Sequence, residues 1–292
     1  MCSSCGEVIK CPNCDITLTY HKSSNMNRCH YCGYAQNVSD ICPYCKNKSL
    51  NSFGLGTEKV EEELNKLFDA RVIRMDIDTT SRKGSHERII NSFMNHEYDI
   101  LIGTQMIAKG LDFPLVTLVG VINADTLLNI PDFRSNEHTY HLISQVSGRA
   151  GRSDIEGKVI IQTYNPDNYA IKYSKYHNYV GFYNEEMKIR KTLKYPPYFF
   201  LANIKIGGKI YNEVKEESIK ICKYINNNKT DDMIVLGPSV SSISKINNIY
   251  YFQIIIKYRD KNNLNNLLKD AISLEENNNK IKLNIDINPI SL

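Results

Sequence analysis

The sequence predicts an α/β lobe set between a two-zinc cysteine module and a small α+β C-terminal domain. Three observations carry this. Eight of the nine cysteines form four Cys-x-x-Cys pairs ahead of residue 50. Short apolar runs then alternate with amphipathic helical stretches, the pattern of a parallel sheet covered by helices. Beyond Tyr195-Pro196-Pro197 the order becomes β-α-β-β-α-β. Domains at 1–50, 51–190 and 191–292 follow.

A chain of 292 residues has room for two or three domains, each with a core of its own. Formal net charge is only +4, so contact with nucleic acid has to come from local patches. No run of about eighteen apolar residues occurs and nothing at the start resembles a signal peptide, so a cytoplasmic protein away from membranes is expected. In that setting paired cysteines argue for metal rather than disulfides.

The pairs are Cys2/Cys5, Cys11/Cys14, Cys29/Cys32 and Cys42/Cys45. Each can fold into a tight knuckle that offers two thiolates to one ion, so eight ligands make two tetrahedral zinc sites. Fourteen residues separate Cys14 from Cys29, near the usual gap of a zinc ribbon, whereas the five between Cys5 and Cys11 leave little room. This spacing favours a nested arrangement: Cys11, Cys14, Cys29 and Cys32 on one zinc, and Cys2, Cys5, Cys42 and Cys45 on the other. A cross-braced pairing is the alternative. So little apolar content leaves the metal to supply the folding energy. With eight thiolates present, His21 and His30 are exposed or packing residues, and Cys222, at helical spacing in an apolar pattern, is a buried thiol.

In the lobe, residues 57 to 68 read as a helix with Thr57 as N-cap and Val60, Leu64 and Leu67 inward. Short buried strands are expected at 71–75, 99–102, 116–122 and 158–163, with a helix at 84–94. Asp76 and Asp78 follow the first strand and read as a solvated loop. Working residues of such sheets sit on loops at the carboxyl ends of strands. One is Gly103-Thr104-Gln105-Met106-Ile107-Ala108-Lys109-Gly110-Leu111-Asp112-Phe113-Pro114, where the Thr104 hydroxyl suits a nucleic-acid phosphate, and Gly110 and Asp112 suit a nucleotide. The other runs from Asn123 to Arg134, with Asp125, Asp132 and Arg134 as a polar network or as turn caps.

That second loop leads into a helical pattern, Thr139, Leu142, Ile143 and Val146, which closes on Gln145-Val-Ser-Gly-Arg-Ala-Gly-Arg152. If the helix continues, Gln145, Arg149 and Arg152 share one face. Two guanidiniums beside glycines suit a polyanion, because a guanidinium can grip phosphate through two parallel hydrogen bonds.

In the last domain the expected order is strand (201–206), helix (212–224), strand (233–236), strand (250–257), helix (262–272) and strand (281–287), ferredoxin-like in pattern. Tyr250 and Tyr251, at successive strand positions, are read as packing residues ahead of base-stacking ones.

These motifs resemble the second, RecA-like motor lobe of superfamily 2 helicases, with 103–114 similar to motif V and 145–152 similar to motif VI. Four Cys-x-x-Cys pairs ahead of Gly-x-Gly-Thr-Glu (54–58), together with Gly-Thr-Gln-Met-Ile-Ala-Lys-Gly (103–110) and Pro-Asp-Phe-Arg (131–134), narrow the resemblance. It is to the primosomal protein N′ family of replication-restart helicases, and it extends to Gly237-Pro238 and Asp286-Ile-Asn-Pro289. The resemblance implies an ATP-dependent 3′→5′ DNA helicase. Arg152 would be its arginine finger, Arg149 a second γ-phosphate contact, and Gln145 a nucleotide contact or relay. Gly110 and Asp112 would lie at the nucleotide edge and Thr104 on the DNA track. Implied partners are forked and single-stranded DNA, primosome proteins and single-stranded-DNA-binding protein. Two Zn²⁺ are implied, with ATP and Mg²⁺ held mainly by a first motor lobe.

The sequence departs from the family in having no Gly-x-x-x-x-Gly-Lys-Ser/Thr phosphate loop and no Asp-Glu-x-His box. The expectation is therefore the C-terminal part of a longer or split helicase, inactive alone. The alternative is a non-catalytic zinc-dependent module that binds DNA or the primosome. Ahead of Gln253, where the family usually carries arginines, stands Ile249-Tyr250-Tyr251-Phe252, a departure at the acidic-tail partner site.

Overall fold

The computed structural model describes residues 4–5, 8–21, 25–39, 41–48, 56–77, 79–80, 82–108, 113–148, 150, 157–273 and 280–291. The chain divides into two compact units. One is Gly54–Met187; the other joins Met1–Phe53 to Lys188–Leu292.

In the cysteine segment of the second of these, three strands of three residues each, β1 (Thr19–His21), β2 (Met26–Arg28) and β3 (Ala35–Asn37), form an antiparallel sheet in that order. Strands so short bury little. The buried cluster here is Cys11, Cys14, Leu18 and Cys29, so the thiols are themselves the core.

The Gly54–Met187 unit begins with α1 (Thr57–Leu67), β4 (Val72–Met75), α2 (Ser85–Met94) and β5 (Ile100–Gly103), followed by a 3-10 turn at Gln105–Ala108. β6 (Leu118–Val121), α3 (Asp125–Leu128), α4 (Ser135–Ser147), β7 (Lys158–Ile161) and α5 (Tyr169–Lys175) complete it, and α6 (Tyr179–Leu193) starts within it. Strands pair in parallel, as the alternation of elements predicts, but in two separate ladders among the described residues: β4 with β5 and β6 with β7. Among the described residues, β6 and β7 are covered on one face rather than on both. Their residues alternate between exposed and half-buried, and Leu118 and Ile160 stand more than half exposed. The other face packs Val121 and Ile161 against Ala124, Ile143 and Ile171.

Two local expectations are corrected here. Thr57 is not the N-cap of α1. Gly56 holds that position, and Thr57, the first helical residue, donates its hydroxyl to Asp76 Oδ2 at 2.6 Å. Asp76 is not in a solvated loop but buried, and besides Thr57 it accepts from the Thr79 N–H at 2.9 Å. Its Oδ2 also lies 3.3 Å from Arg74 Nε. Periodicity finds helices and strands but cannot see that an acid at a strand end will be closed over by the next turn. Asp78 lies outside the described residues.

In the C-terminal domain β8 (Phe200–Gly208), α7 (Tyr211–Asn228), β9 (Ile234–Ile246), β10 (Ile249–Tyr258), α8 (Lys261–Ser273) and β11 (Ile281–Ile287) follow the expected order. The sheet runs β11-β8-β10-β9, every pair antiparallel. Alternate residues Ala202, Ile204 and Ile206 of β8 and Phe252, Ile254 and Ile256 of β10 point to one face. There they meet Val214, Ile221 and Ile225 of α7 and Leu264 and Leu268 of α8. Each of the Val, Leu, Ile and Phe side chains contributes about 1.5–3 kcal/mol on leaving water, which makes this sheet and its two helices a core in their own right. Cys222 is buried in it, as expected, with its thiol donating to the Gly237 carbonyl at 3.3 Å.

β9 differs from expectation. It was to stop before Gly237-Pro238, yet it runs on to Ile246. Proline is tolerated because β9 is an edge strand and its pairing with β10 shifts register nearby, between Gln253 and Ile255. The longer strand ends in a two-residue turn, Asn247-Asn248, with φ of 49° and 63° and with Ile246 paired to Ile249. Both angles positive is the two-residue hairpin turn in which asparagine is favoured.

Candidate metal centre and phosphate-binding segments

Three of the Cys-x-x-Cys pairs fold by one rule. The N–H of the first cysteine donates to the carbonyl five residues on: Cys11 to Ile16, Cys29 to Tyr34 and Cys42 to Asn47, at 2.8–2.9 Å. In two of them a further bond closes the knuckle, from the Gly33 N–H to the Cys29 carbonyl and from the Lys46 N–H to the Cys42 carbonyl, each at 3.0 Å. Gly33 and Lys46 make that reversal at φ of 74° and 61°, which glycine adopts freely and lysine does not. A knuckle of this shape turns both thiols to the same side.

The knuckles come together in pairs. Cys11, Cys14, Cys29 and Cys32 have their sulfurs within 4.8 Å of one another, and so do Cys5, Cys42 and Cys45. Cys11 Sγ and Cys32 Sγ are 3.6 Å apart, and Cys5 Sγ and Cys42 Sγ 3.7 Å. Four thiolates at zinc–sulfur bonds of about 2.3 Å in a tetrahedron stand about 3.8 Å from each other. A disulfide would need about 2.05 Å. Both clusters are thus spaced for an ion. The second is joined in the nested scheme by Cys2, which lies outside the described residues. His30 is exposed at the first cluster's margin, and the side chain of His21 is not described.

The thiols of the first cluster differ in acidity for local reasons. Burial raises Cys11 and takes Cys14 to about 12, against hydrogen bonds that work in the opposite sense, including one from the Asn247 N–H to Cys14. The Tyr34 N–H brings Cys32 down to about 7. An ion entering this cluster has to displace protons from Cys11 and Cys14, whose thiols burial holds protonated, so uptake is favoured as pH rises.

The phosphate-binding candidates lie in the Gly54–Met187 unit. Thr104 is exposed at the carboxyl end of β5, where the 3-10 turn begins. Gly103 makes that turn possible: a Cβ there would lie 2.6 Å from Ile107 Cγ2 and 2.7 Å from the Met75 carbonyl oxygen. α4 packs against the same turn, so the helix that carries Gln145 and the loop that begins at Thr104 are neighbours. Gln145 is exposed in the last turn of α4. The helix does not continue through the motif. It stops at Ser147, where Gly148 takes the C-cap position and donates its N–H to the Ser144 carbonyl. Arg149 and Arg152, with Gly110 and Asp112, lie outside the described residues.

Asp125, Asp132 and Arg134 divide in two. Asp125 accepts from the Thr163 hydroxyl at 3.0 Å and the Tyr164 N–H at 2.9 Å, holding the chain after β7. Asp132 takes Arg134 Nε at 2.9 Å and Nη2 at 3.2 Å, and Ser135 donates its hydroxyl to the Ile130 and Asp132 carbonyls, which starts α4. These contacts set the direction of the helix that leads to the arginines. Sequence reasoning missed the tip of the β9–β10 hairpin, which reaches the first cysteine cluster. The only signal for it was Asn-Asn between two apolar runs.

Three family models match the chain. A "PriA DNA helicase Cys-rich region (CRR) domain" covers residues 11–36, a "Helicase conserved C-terminal domain" 36–154, and a "Primosomal protein N C-terminal domain" 191–290. Among curated relatives, the replication restart protein PriA of Bacillus subtilis is 48% identical over 293 residues, which is 99% of this chain and 36% of that protein. PriA of Synechocystis is 41% identical over 300 residues, covering 100% of this chain and 35% of the relative. PriA of Borreliella burgdorferi is 38% identical over 292 residues, 100% of this chain and 44% of the relative. The chain thus spans about 35–45% of the length of these curated relatives. No helix among the described residues is long and apolar enough to cross a membrane.

Proposed function

We propose, from the premise that the chain belongs to the PriA family and matches the C-terminal portion of its members, that it supplies the second half of an ATP-driven helicase for replication restart. In this reading residues 51–190 are the RecA-like second motor lobe, 1–50 a two-zinc module and 191–292 the C-terminal domain. The observation that carries it is the pair of motif segments on one unit. Thr104 stands at the end of β5, and the turn that follows packs against the helix that leads into Gly148-Arg149-Ala150-Gly151-Arg152.

The roles are those that the family resemblance implies. Arg152 inserts a guanidinium against the γ-phosphate of ATP held mainly by a first motor lobe, and Arg149 takes a second γ-phosphate oxygen. Such a group is worth about 10³–10⁵ in kcat in related phosphoryl transfer. Gln145, in the last turn of α4, contacts the nucleotide or relays its state. Gly110 and Asp112 border the nucleotide and Thr104 holds a DNA phosphate. Mg²⁺ accompanies ATP on the first lobe, since the chain contains neither a phosphate loop nor its acidic box. Cys11, Cys14, Cys29 and Cys32 hold one zinc, and Cys2, Cys5, Cys42 and Cys45 the other. The module and the C-terminal domain contact forked or single-stranded DNA and primosome proteins.

The test is complementation. The chain alone should not hydrolyse ATP. Mixed with a polypeptide that carries the phosphate loop and first lobe of a PriA-family protein, it should show DNA-stimulated hydrolysis. Because no phosphate loop is present, a second reading has a definite outcome too. A chain that binds forked DNA in a zinc-dependent way but never restores hydrolysis is a binding module without motor function.

A further inference from the structure

The first cysteine cluster is not enclosed by the cysteine segment alone. The tip of the β9–β10 hairpin lies against it, and six hydrogen bonds join the two, all onto residues Pro12 to Asp15. Three use backbone groups of the hairpin. The Asn247 N–H donates to Cys14 Sγ at 3.2 Å. The Lys245 carbonyl accepts from the Asp15 N–H at 2.9 Å, and the Asn248 N–H donates to the Asn13 carbonyl at 2.8 Å. Three use side chains. Ser244 donates its hydroxyl to Asp15 Oδ2 at 2.6 Å, Lys245 Nζ donates to the Pro12 carbonyl at 2.9 Å, and Asn248 Nδ2 donates to Asn13 Oδ1 at 3.3 Å. Ile246 packs on the cluster of Cys11, Cys14, Leu18 and Cys29.

Four thiolates around Zn²⁺ leave a net charge of −2, and N–H donors on the sulfurs spread that charge. One such donor comes from within the knuckle, the Asn13 N–H to Cys11 Sγ at 3.4 Å. Cys14 is 2% exposed and takes its donor from a residue 233 positions away. The turn that aims this N–H needs two successive positive φ angles, which asparagine tolerates better than most residues. The hairpin belongs to a sheet with its own core, so the donor arrives on a rigid support.

We propose that the β9–β10 hairpin tip is an outer clamp of the Cys11/Cys14/Cys29/Cys32 zinc site, with Asn247 as a positioning residue through its backbone N–H. Retention of that one ion therefore depends on the C-terminal domain. The inference rests on the zinc reading above and goes beyond it. It ties the metal to a part of the chain that supplies no ligand, so a partner or DNA that moved the hairpin would loosen one zinc and not the other.

The experiment follows zinc release from the intact chain to a chromophoric chelator. The unaltered chain should hold two equivalents. Ser244→Ala with Lys245→Ala removes two side-chain anchors and should release one equivalent about 10- to 100-fold faster, the range for loss of an outer-shell partner, with the other unchanged. Ser244→Thr with Lys245→Arg should restore the slow rate. Asn247→Gly keeps both the N–H and the positive φ and should release zinc at the unaltered rate, whereas Asn247→Val disfavours that φ and should release it faster. Hydrogen exchange over β8 and β10 checks that the sheet stays folded. Should the double alanine variant unfold, Asp15→Ala breaks the Ser244 bond from the other side and should accelerate the same equivalent. Two zincs with unaltered release from the alanine variants, or equal acceleration of both, overturn the clamp alone. A chain with no zinc overturns the zinc reading and the clamp with it.

Discussion

Removing the Asp76 carboxylate tests whether the start of α1, the end of β4 and the turn after it form one locked corner. Asp76 is 7% exposed and joins three parts of the chain: the Thr57 hydroxyl from α1, the Thr79 N–H from the following turn, and Arg74 from its own strand. Asp76→Ala leaves the Arg74 guanidinium with Glu58 at 3.1 Å and Glu61 at 3.6 Å, so its charge stays paired. The Thr57 hydroxyl and Thr79 N–H lose their acceptor. Breaking such a partly buried set costs about 2–3 kcal/mol, which is about a 30- to 140-fold fall in protection at 1.4 kcal/mol per decade. The assay is hydrogen exchange of the β4 and β5 amides in the full chain. Acidity gives a second readout. Burial pushes this carboxyl upward, but the bonds from Thr57 and Thr79 and the charge of Arg74 hold it below its ordinary value. Its contribution is therefore complete above the ordinary carboxylate range and is lost as pH falls from there through the folded value. Asp76→Asn should flatten that acid limb. Unchanged protection in Asp76→Ala, or an acid limb as steep in Asp76→Asn, would refute the locked corner.

Three further outcomes are expected. Gly103→Ala forces a Cβ against Ile107 and the Met75 carbonyl, so the turn after β5 must move; a loss of about 1–3 kcal/mol, read by the same exchange measurement, is expected, and wild-type protection would contradict it. Cys29→Ser and Cys42→Ser should each lower bound zinc by one equivalent, measured by elemental analysis, because each cysteine belongs to a different cluster; loss of both ions from either variant would contradict two independent sites. Ile254→Ala, at a fully buried position between α7, α8 and the sheet, should cost about 2–5 kcal/mol in chemical denaturation of the C-terminal domain followed by far-ultraviolet circular dichroism.

Much of this was legible in the sequence because the signals are local. Cysteines two residues apart have few foldings, so the pairs announce knuckles, and spacing argues for which knuckles can meet. The apolar run around Ala202, Ile204 and Ile206 marks a buried strand, and the recurrence of Val214, Ile221 and Ile225 marks the helix that covers one of its faces. What was not legible depends on contacts between distant segments. Nothing near Asp76 says that a threonine 19 positions earlier will donate to it. Pro238 looks like a strand terminator until one knows that β9 is an edge. Asn247 has no side-chain chemistry that marks it, since its role belongs to the backbone and to a turn whose partner lies near the other end of the sequence. The arginine motif was legible as chemistry but not as geometry: α4 ends before Arg149, so the periodic argument that put both arginines on one helical face does not carry through Gly148.

The central claim is that Arg152 completes an ATP site furnished by another lobe. It is tested most directly by steady-state hydrolysis in the complemented, DNA-stimulated mixture, comparing the unaltered chain with Arg152→Lys and Arg152→Ala. Lysine keeps the charge but not the planar fork. Zinc content and exchange protection should be unchanged in both variants. The account predicts a fall in kcat of about 10³ or more for Arg152→Ala, with little recovery in Arg152→Lys; full hydrolysis by Arg152→Ala would contradict it.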